Sequence, residues 1–184
     1  GKKTCVVAHR NLRRRFDRYR MTPGYNGYIN NRQMQTEHGT FMPHMMDRLR
    51  YPDVEYEDTM TLDVGGVHME LQHFKGETDD CTITWLPASK MLLTGDFWIW
   101  SMPNAGNPQK VQRFPREWSE CFKAMANFGA EYVFPGHGPP ILGSGNIRRA
   151  FLETASFLDG VINPCLRLIN EGFSLNYLQT NVRK

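Results

Sequence analysis

The chain lacks paired cysteines, long apolar runs and a strong charge of either sign. Its four cysteines are scattered through 184 residues without a CxxC pair. They are therefore predicted to be buried thiols, and neither a zinc knuckle nor a disulfide framework is expected. No apolar run approaches the length of a membrane-spanning helix, and a net charge of +3 is too small to indicate nucleic-acid binding by itself. A soluble protein is expected; unpaired thiols favour the cytoplasm only slightly, so its compartment stays unassigned.

What remains is the composition of an ordinary folded domain. Hydrophobic residues make up 40% of the chain and charged residues 22%, typical values for a globular protein. The length is sufficient for one domain with a substantial core. No internal repeat or low-complexity segment interrupts it.

Three turns, each following a strand-like run, carry a potential metal ligand. They are GETDD (residues 76–80) with Glu77, TGD (94–96) with Asp96, and PGHGPP (135–140) with His137. Two carboxylates and one imidazole suit zinc, iron or manganese. Turn formation alone would explain either acidic residue, because turns favour glycine and aspartate. His137 is harder to explain in this way, since the neighbouring glycines and prolines would form the turn without it.

The ordered set resembles the C-terminal half of the metallo-β-lactamase-fold hydrolases. The turn around Glu77 resembles the family's Gly-His-Thr turn, with Glu in place of His. Asp96 resembles the bridging carboxylate, and His137 in Pro-Gly-His-Gly resembles the last histidine ligand. A glutamate at the first position is characteristic of the alkyl-sulfatase-like branch. The resemblance extends from about Val6 to the last helix.

The resemblance implies an α+β fold, a four-layer αββα sandwich of which this chain supplies mainly the C-terminal half. One mixed or antiparallel sheet with covering helices is expected, as a single partial domain over residues 1–184. In the complete family member two zinc ions, or manganese or iron, bind a hydroxide that attacks an ester-type bond. An alkyl sulfate or similar small molecule is the implied substrate, and no catalytic residues beyond the metal ligands are implied.

Five further residues are candidates for supporting roles. Asp79 and Asp80 would orient the ligands, and His73 lies next to the Glu77 turn. Asn104 and Asn107 are candidate donors to a sulfate or phosphate, although turn formation also explains them.

One expected motif is absent. The family's His-x-His-x-Asp-His supplies most of the ligands, yet none of the six histidines forms a His-x-His pair. The chain is therefore interpreted as the second half of a longer protein, binding one metal weakly or none and weakly active or inactive by itself. Half a sandwich would expose the inner face of its sheet, so a homo-oligomer that covers this face is expected.

The alternative function is a non-catalytic binding or structural module. Five arginines lie on one predicted helix, Arg13, Arg14, Arg15, Arg18 and Arg20. They could contact an anionic partner such as RNA, or form a solvated face with ion pairs inside the protein. The solvated face is the preferred interpretation, so nucleic acid is not an expected partner.

The remaining patterns predict the order of the elements. A short strand at residues 4–8 precedes a helix at 12–21, and an irregular connection at 22–56 follows, with Met42, Met45 and Met46 as a possible apolar wall. Two hairpins are predicted at 60–72 and 81–93. A helix from Pro115 to Gly129, a strand at 132–134, a long helix kinked or split at Pro164 and a short helix capped by Ser174 complete the chain.

Overall fold

A computed structural model describes residues 4–36, 48–106 and 112–182. The chain divides into two compact units, Gly1–Asp58 and Thr59–Lys184, and each is described by itself. The single partial domain expected over residues 1–184 stays a prediction. Met42, Met45, Met46 and Asn107 lie outside the described residues.

The first unit is a small parallel strand pair with two helices. Its elements are β1 (Val7–His9), α1 (Asn11–Met21), α2 (Pro23–Met34) and β2 (Val54–Tyr56), and β1 pairs with β2. The prediction of an irregular connection from residue 22 onward is wrong over α2. Pro23 begins that helix instead of only breaking the previous one, because the first helical position needs no amide donor.

Three of the five arginines of α1 are engaged or buried within this unit. Arg13 donates from Nε to Glu55 Oε1 at 2.7 Å. The guanidinium groups of Arg13 and Arg20 lie 5.1 and 5.0 Å from the centre of the Tyr51 ring, and Arg15 is buried. Such contacts are those of a helix face paired inside the protein. They lend no support to the RNA-binding alternative.

The second unit is a six-stranded mixed sheet covered by helices. Its elements are β3 (Thr59–Val64), β4 (Val67–Phe74), β5 (Cys81–Leu86), β6 (Met91–Gly95), α3 (Pro115–Met125), β7 (Tyr132–Pro135), β8 (Ile141–Leu142), α4 (Ser144–Asn170) and α5 (Leu175–Asn181). The strands lie in chain order, and all neighbours are antiparallel except β6 and β7, which are parallel. Both predicted hairpins are confirmed.

The core of this unit lies between one face of the sheet and the helices α3 and α4. Ile83, Leu92 and Val133, from three adjacent strands, are fully buried on that face. Phe122 of α3 and Phe151 of α4 meet them from the helical side. Alternate strand residues point to opposite faces, so the same periodicity that predicts the strands also selects these core residues.

The helices of this unit follow the predicted order, and one of them ends earlier than expected. Helix α3 ends at Met125, before Gly129, and tighter turns follow it, in which Asn127 N donates to the Ala124 carbonyl at 3.0 Å and Phe128 N to the Met125 carbonyl at 3.1 Å. Helix α4 is one element through Pro164, so a split is wrong there, and a kink stays a prediction. The cap of α5 is confirmed, since Ser174 Oγ accepts from Tyr177 N at 3.3 Å. The short strand β8 was not predicted.

The cysteines are free, and their burial is mixed. Cys121 is 1% exposed, and burial raises the pKa of its thiol and of the Cys81 thiol above the ordinary range. Cys5 is exposed, so the prediction of buried thiols is wrong for that residue. Across the described ranges, no helix is long and apolar enough to cross a membrane.

Candidate metal centre

The topology places the three candidate turns at one edge of the sheet. Strand β4 ends at Phe74, opposite Cys81, so the Glu77 turn lies at the edge where β5 begins. Strand β6 is antiparallel to β5 and ends at that edge, immediately before Asp96. Strand β7 is parallel to β6 and delivers His137 to the same edge. Loops at the ends of strands on a rigid sheet are where functional residues often lie.

Two of the three candidate ligands are in direct contact. His137 Nδ1 and Asp96 Oδ1 are 2.6 Å apart, and their side chains are 76% and 48% exposed. The backbone holds the two turns together, since Gly136 N donates to Gly95 O at 2.8 Å. A carboxylate on one imidazole nitrogen fixes the ring and leaves the other nitrogen, Nε2, as the one that would bind a metal.

Gly136 allows the turns to approach this closely. A Cβ at this position would collide with Asp96 Oδ1 and would lie 3.0 Å from the Gly95 carbonyl carbon. Only glycine fits at this position, because any side chain would clash with Asp96.

We expect Gly136→Ala to separate Asp96 from His137 and to weaken zinc binding at least about 10-fold, as loss of a ligand's hydrogen-bond partner does. Zinc titration against a chromogenic indicator measures the change. Gly145→Ala is the matched control, because a Cβ there meets nothing within 4 Å. Equal zinc affinity in the two variants would contradict the prediction.

Glu77 is held by a different partner. Its Oε1 lies 2.5 Å from Arg113 Nη1, and its side chain is 32% exposed, whereas that of Arg113 is only 6% exposed. The same Nη1 donates to the Glu77 backbone carbonyl at 2.6 Å. Sequence patterns suggested no link between these residues, which lie 36 positions apart.

Three of the supporting candidates, His73, Asp79 and Asp80, form hydrogen bonds within or next to the Glu77 turn. His73 Nε2 lies 2.9 Å from the Asp79 backbone oxygen. Asp80 Oδ1 accepts from Thr78 Oγ1 at 2.6 Å. Asn104 lies exposed in the loop after Trp100. Their roles toward a metal or substrate stay predictions.

The donor set fits a metal in part. Asp96 and His137 supply a carboxylate and an imidazole, the types of donor that suit zinc. In residues 4–36, 48–106 and 112–182, however, no three His, Cys, Asp or Glu side chains converge as a metal site. Glu77 lies at the same edge of the sheet, but its carboxylate is bound to Arg113 and does not contact the Asp96–His137 pair.

A cavity of about 380 Å³ opens beside the His137 turn. Trp100 forms part of its wall and donates from Nε1 to the Pro139 carbonyl at 2.7 Å, which ties the wall to the turn. Gly138 packs against the same indole ring. The other lining side chains are largely apolar, among them Trp98, Met102, Ala150 and Phe157, with Glu153 as the charged one.

Comparison with solved structures identifies the fold. A metallo-β-lactamase family protein from Thermus thermophilus superposes with a TM-score of 0.63 at 19% identity, over 90% of this chain and 56% of that protein. A stereoselective inverting sec-alkylsulfatase from Pseudomonas sp. superposes with a TM-score of 0.68 at 25% identity, over 74% of this chain and 22% of the enzyme. The chain therefore has a metallo-β-lactamase fold, as the sequence predicted, and resembles the metal-dependent hydrolases with that fold.

Within that class, the resemblance is to alkylsulfatases. A linear primary-alkylsulfatase from Pseudomonas sp. is 20% identical over 136 residues, which are 72% of this chain and 25% of the enzyme. The chain thus spans about a quarter of the length of the alkylsulfatases that it matches. No protein-family model matches it.

Proposed function

We propose that this chain is part of a metal-dependent hydrolase that cleaves an ester-type bond in a small molecule such as an alkyl sulfate. The Asp96–His137 pair carries the proposal, because a carboxylate 2.6 Å from Nδ1 of an imidazole lies at the end of the sheet and leaves Nε2 for a metal. In the whole protein Asp96, His137 and Glu77 would hold zinc, or manganese or iron in its place. A bound zinc supplies Lewis acidity and lowers the pKa of water.

The chain's own residues would then orient the metal ligands and position the substrate. Asp96 fixes the His137 ring through Nδ1, so that Nε2 is presented to the ion. Because both side chains are exposed, a metal or a substrate could reach them directly from solvent. The exposed Asn104 would donate to the sulfate group from the neighbouring loop, and Asn107 further along the chain would have the same role.

The cavity beside Trp100 would accommodate an apolar substituent of the substrate. Its volume of about 380 Å³ is within the range of small-molecule sites. Trp98 Nε1 lies 3.3 Å from Thr154 Oγ1, which itself donates to the Ala150 carbonyl at 2.8 Å. Because these polar atoms are already paired, the surface left to a ligand is mainly apolar. Glu153 would repel an anionic group from this cavity, so the sulfate would lie outside it, toward His137.

Equilibrium dialysis against zinc, with the metal counted by mass spectrometry, tests the proposal on the chain itself. We expect one weakly bound zinc per chain that a chelator removes, and chelator-sensitive sulfate release from decyl sulfate at a low rate. No zinc above the background of a His137→Ala, Asp96→Ala double variant would contradict the assignment of the ligands.

The expected homo-oligomer is a second part of the proposal. Leu93 pairs with Phe134, and Tyr132 with Leu142, on the sheet face away from α3 and α4. All four side chains are more than a third exposed, and a second copy of the chain would cover them. Sedimentation of a dilute sample as a folded monomer would count against this association.

A further inference from the structure

The Glu77 turn is held from outside by a single arginine that precedes helix α3. Arg113 Nη1 reaches both the Glu77 carboxylate at 2.5 Å and the Glu77 backbone carbonyl at 2.6 Å. Its side chain is 6% exposed, and among the described residues its Nε has no hydrogen-bond partner. Both hydrogen bonds that the structure defines for this guanidinium therefore end on Glu77.

The backbone reinforces this contact one residue further along. Phe114 N donates to the Gly76 carbonyl at 2.9 Å, and Gly76 N donates to the Thr78 carbonyl at 3.0 Å. A Cβ on Gly76 would collide with the Phe97 ring, so the turn lies tightly on the residue that follows Asp96. The start of α3 and the Glu77 turn are thus joined at two successive positions.

This double attachment determines how the carboxylate is presented. A glutamate in a turn, one third exposed, would otherwise exchange among several side-chain rotamers. With Oε1 on Arg113, the carboxylate has one oxygen committed and Oε2 left to accept a metal. The buried positive charge also compensates the negative charge of Glu77, which a partly buried carboxylate requires.

We infer that Arg113 is a positioning residue that holds Glu77 for metal binding. The inference rests on the proposed function only in taking Glu77 as a ligand; the attachment of the turn to Arg113 is independent of any metal. Arg113 acts through Glu77 and contacts no reacting atom. The opposite role, in which Arg113 competes with the metal for Glu77, predicts tighter zinc binding when the arginine is removed.

Three variants separate the arginine's role from that of the ligand. Arg113→Met keeps the apolar stem of the side chain and removes the guanidinium, so we expect faster amide hydrogen exchange over residues 75–81 and zinc binding weaker by about 10-fold or more. Arg113→Lys should recover part of both losses, since it restores the charge without the second hydrogen bond. Glu77→Gln should weaken zinc binding while keeping the turn protected, because its amide oxygen still accepts from Arg113.

Hydrogen exchange followed by mass spectrometry and zinc titration provide the two readouts, with circular dichroism to confirm that each variant folds. Lys90→Met is the matched control, because Lys90 pairs with Glu131 at 2.6 Å elsewhere on the sheet and its loss should change neither readout. Unchanged exchange in Arg113→Met, or tighter zinc binding, would overturn the inference. Should Arg113→Met not fold, the lysine variant decides by the same two readouts. If the unaltered chain binds no zinc, the proposed function and the metal-positioning role both fail, whereas the exchange rates still decide whether Arg113 holds the Glu77 turn.

Discussion

We expect Asp96→Ala to lower the zinc affinity of the chain by about 10–100-fold and to leave its unfolding temperature nearly unchanged. Loss of a group that orients a ligand typically costs 10–100-fold in metal affinity, and Asp96 holds the His137 ring through Nδ1. The cost in stability should be small, since an exposed ion pair contributes about 0–1 kcal/mol. In a domain of this size, that corresponds to a few degrees at most.

Zinc competition with a chromogenic indicator and thermal unfolding in the presence of chelator measure the two effects separately. Asp159→Ala is the control, because Asp159 also forms an ion pair, with Lys123 at 2.6 Å, but on helix α4. That variant should bind zinc as the unaltered chain does. A large loss of thermal stability in chelator-treated Asp96→Ala would show that Asp96 is structural, and unchanged zinc affinity would show that it is not a ligand.

The hairpins could be predicted because their residues obey a local rule. Met60, Leu62 and Val64 alternate with polar residues, and the glycines at 65 and 66 have positive φ values of 59° and 83°, as the tight hairpin turn requires. The same alternation continues through β4 and assigns each side chain to a face of the sheet. Everything needed for this prediction lies within about 15 residues.

Helix α2 could not be predicted on the same basis. Its Pro23-Gly24 start and its asparagines favour turns when they are considered one by one. The helix buries Ile29 and Asn31, at 4% and 7% exposure, so packing within the first unit outweighs weak local preferences. Strand β8 is similar, since its two residues form a strand only through pairing with β7.

The candidate site could be predicted as a set of turns, but its detailed contacts could not. The order and direction of the predicted strands place Glu77, Asp96 and His137 at one edge of the sheet. The structure has them at the same edge. The contact between Asp96 and His137 depends on the parallel register of β6 and β7, which no local pattern specifies. The Arg113–Glu77 contact depends on where α3 begins in space, which no local sequence pattern specifies.

We expect Phe122→Ala to destabilise the second unit by about 3–5 kcal/mol, the usual cost of removing a buried phenylalanine. Phe122 is fully buried, and its ring centre lies 5.5 Å from that of Phe97, 6.4 Å from that of Trp118 and 5.7 Å from that of Phe151. It therefore joins α3 to α4 and to the residue that follows Asp96. Since folded domains are stable by only about 5–15 kcal/mol, the loss is a large part of the total.

Urea unfolding followed by tryptophan fluorescence measures this loss. The matched control is Phe173→Ala, because Phe173 is 41% exposed and stacks mainly on Tyr177 near the start of α5. We expect that variant to lose about 1 kcal/mol, the value of an aromatic pair at the surface. Similar losses in both variants would contradict a core centred on Phe122. A loss confined to Phe122→Ala, together with weaker zinc binding in the still-folded fraction, would show that the packing around Phe97 also positions the candidate metal centre.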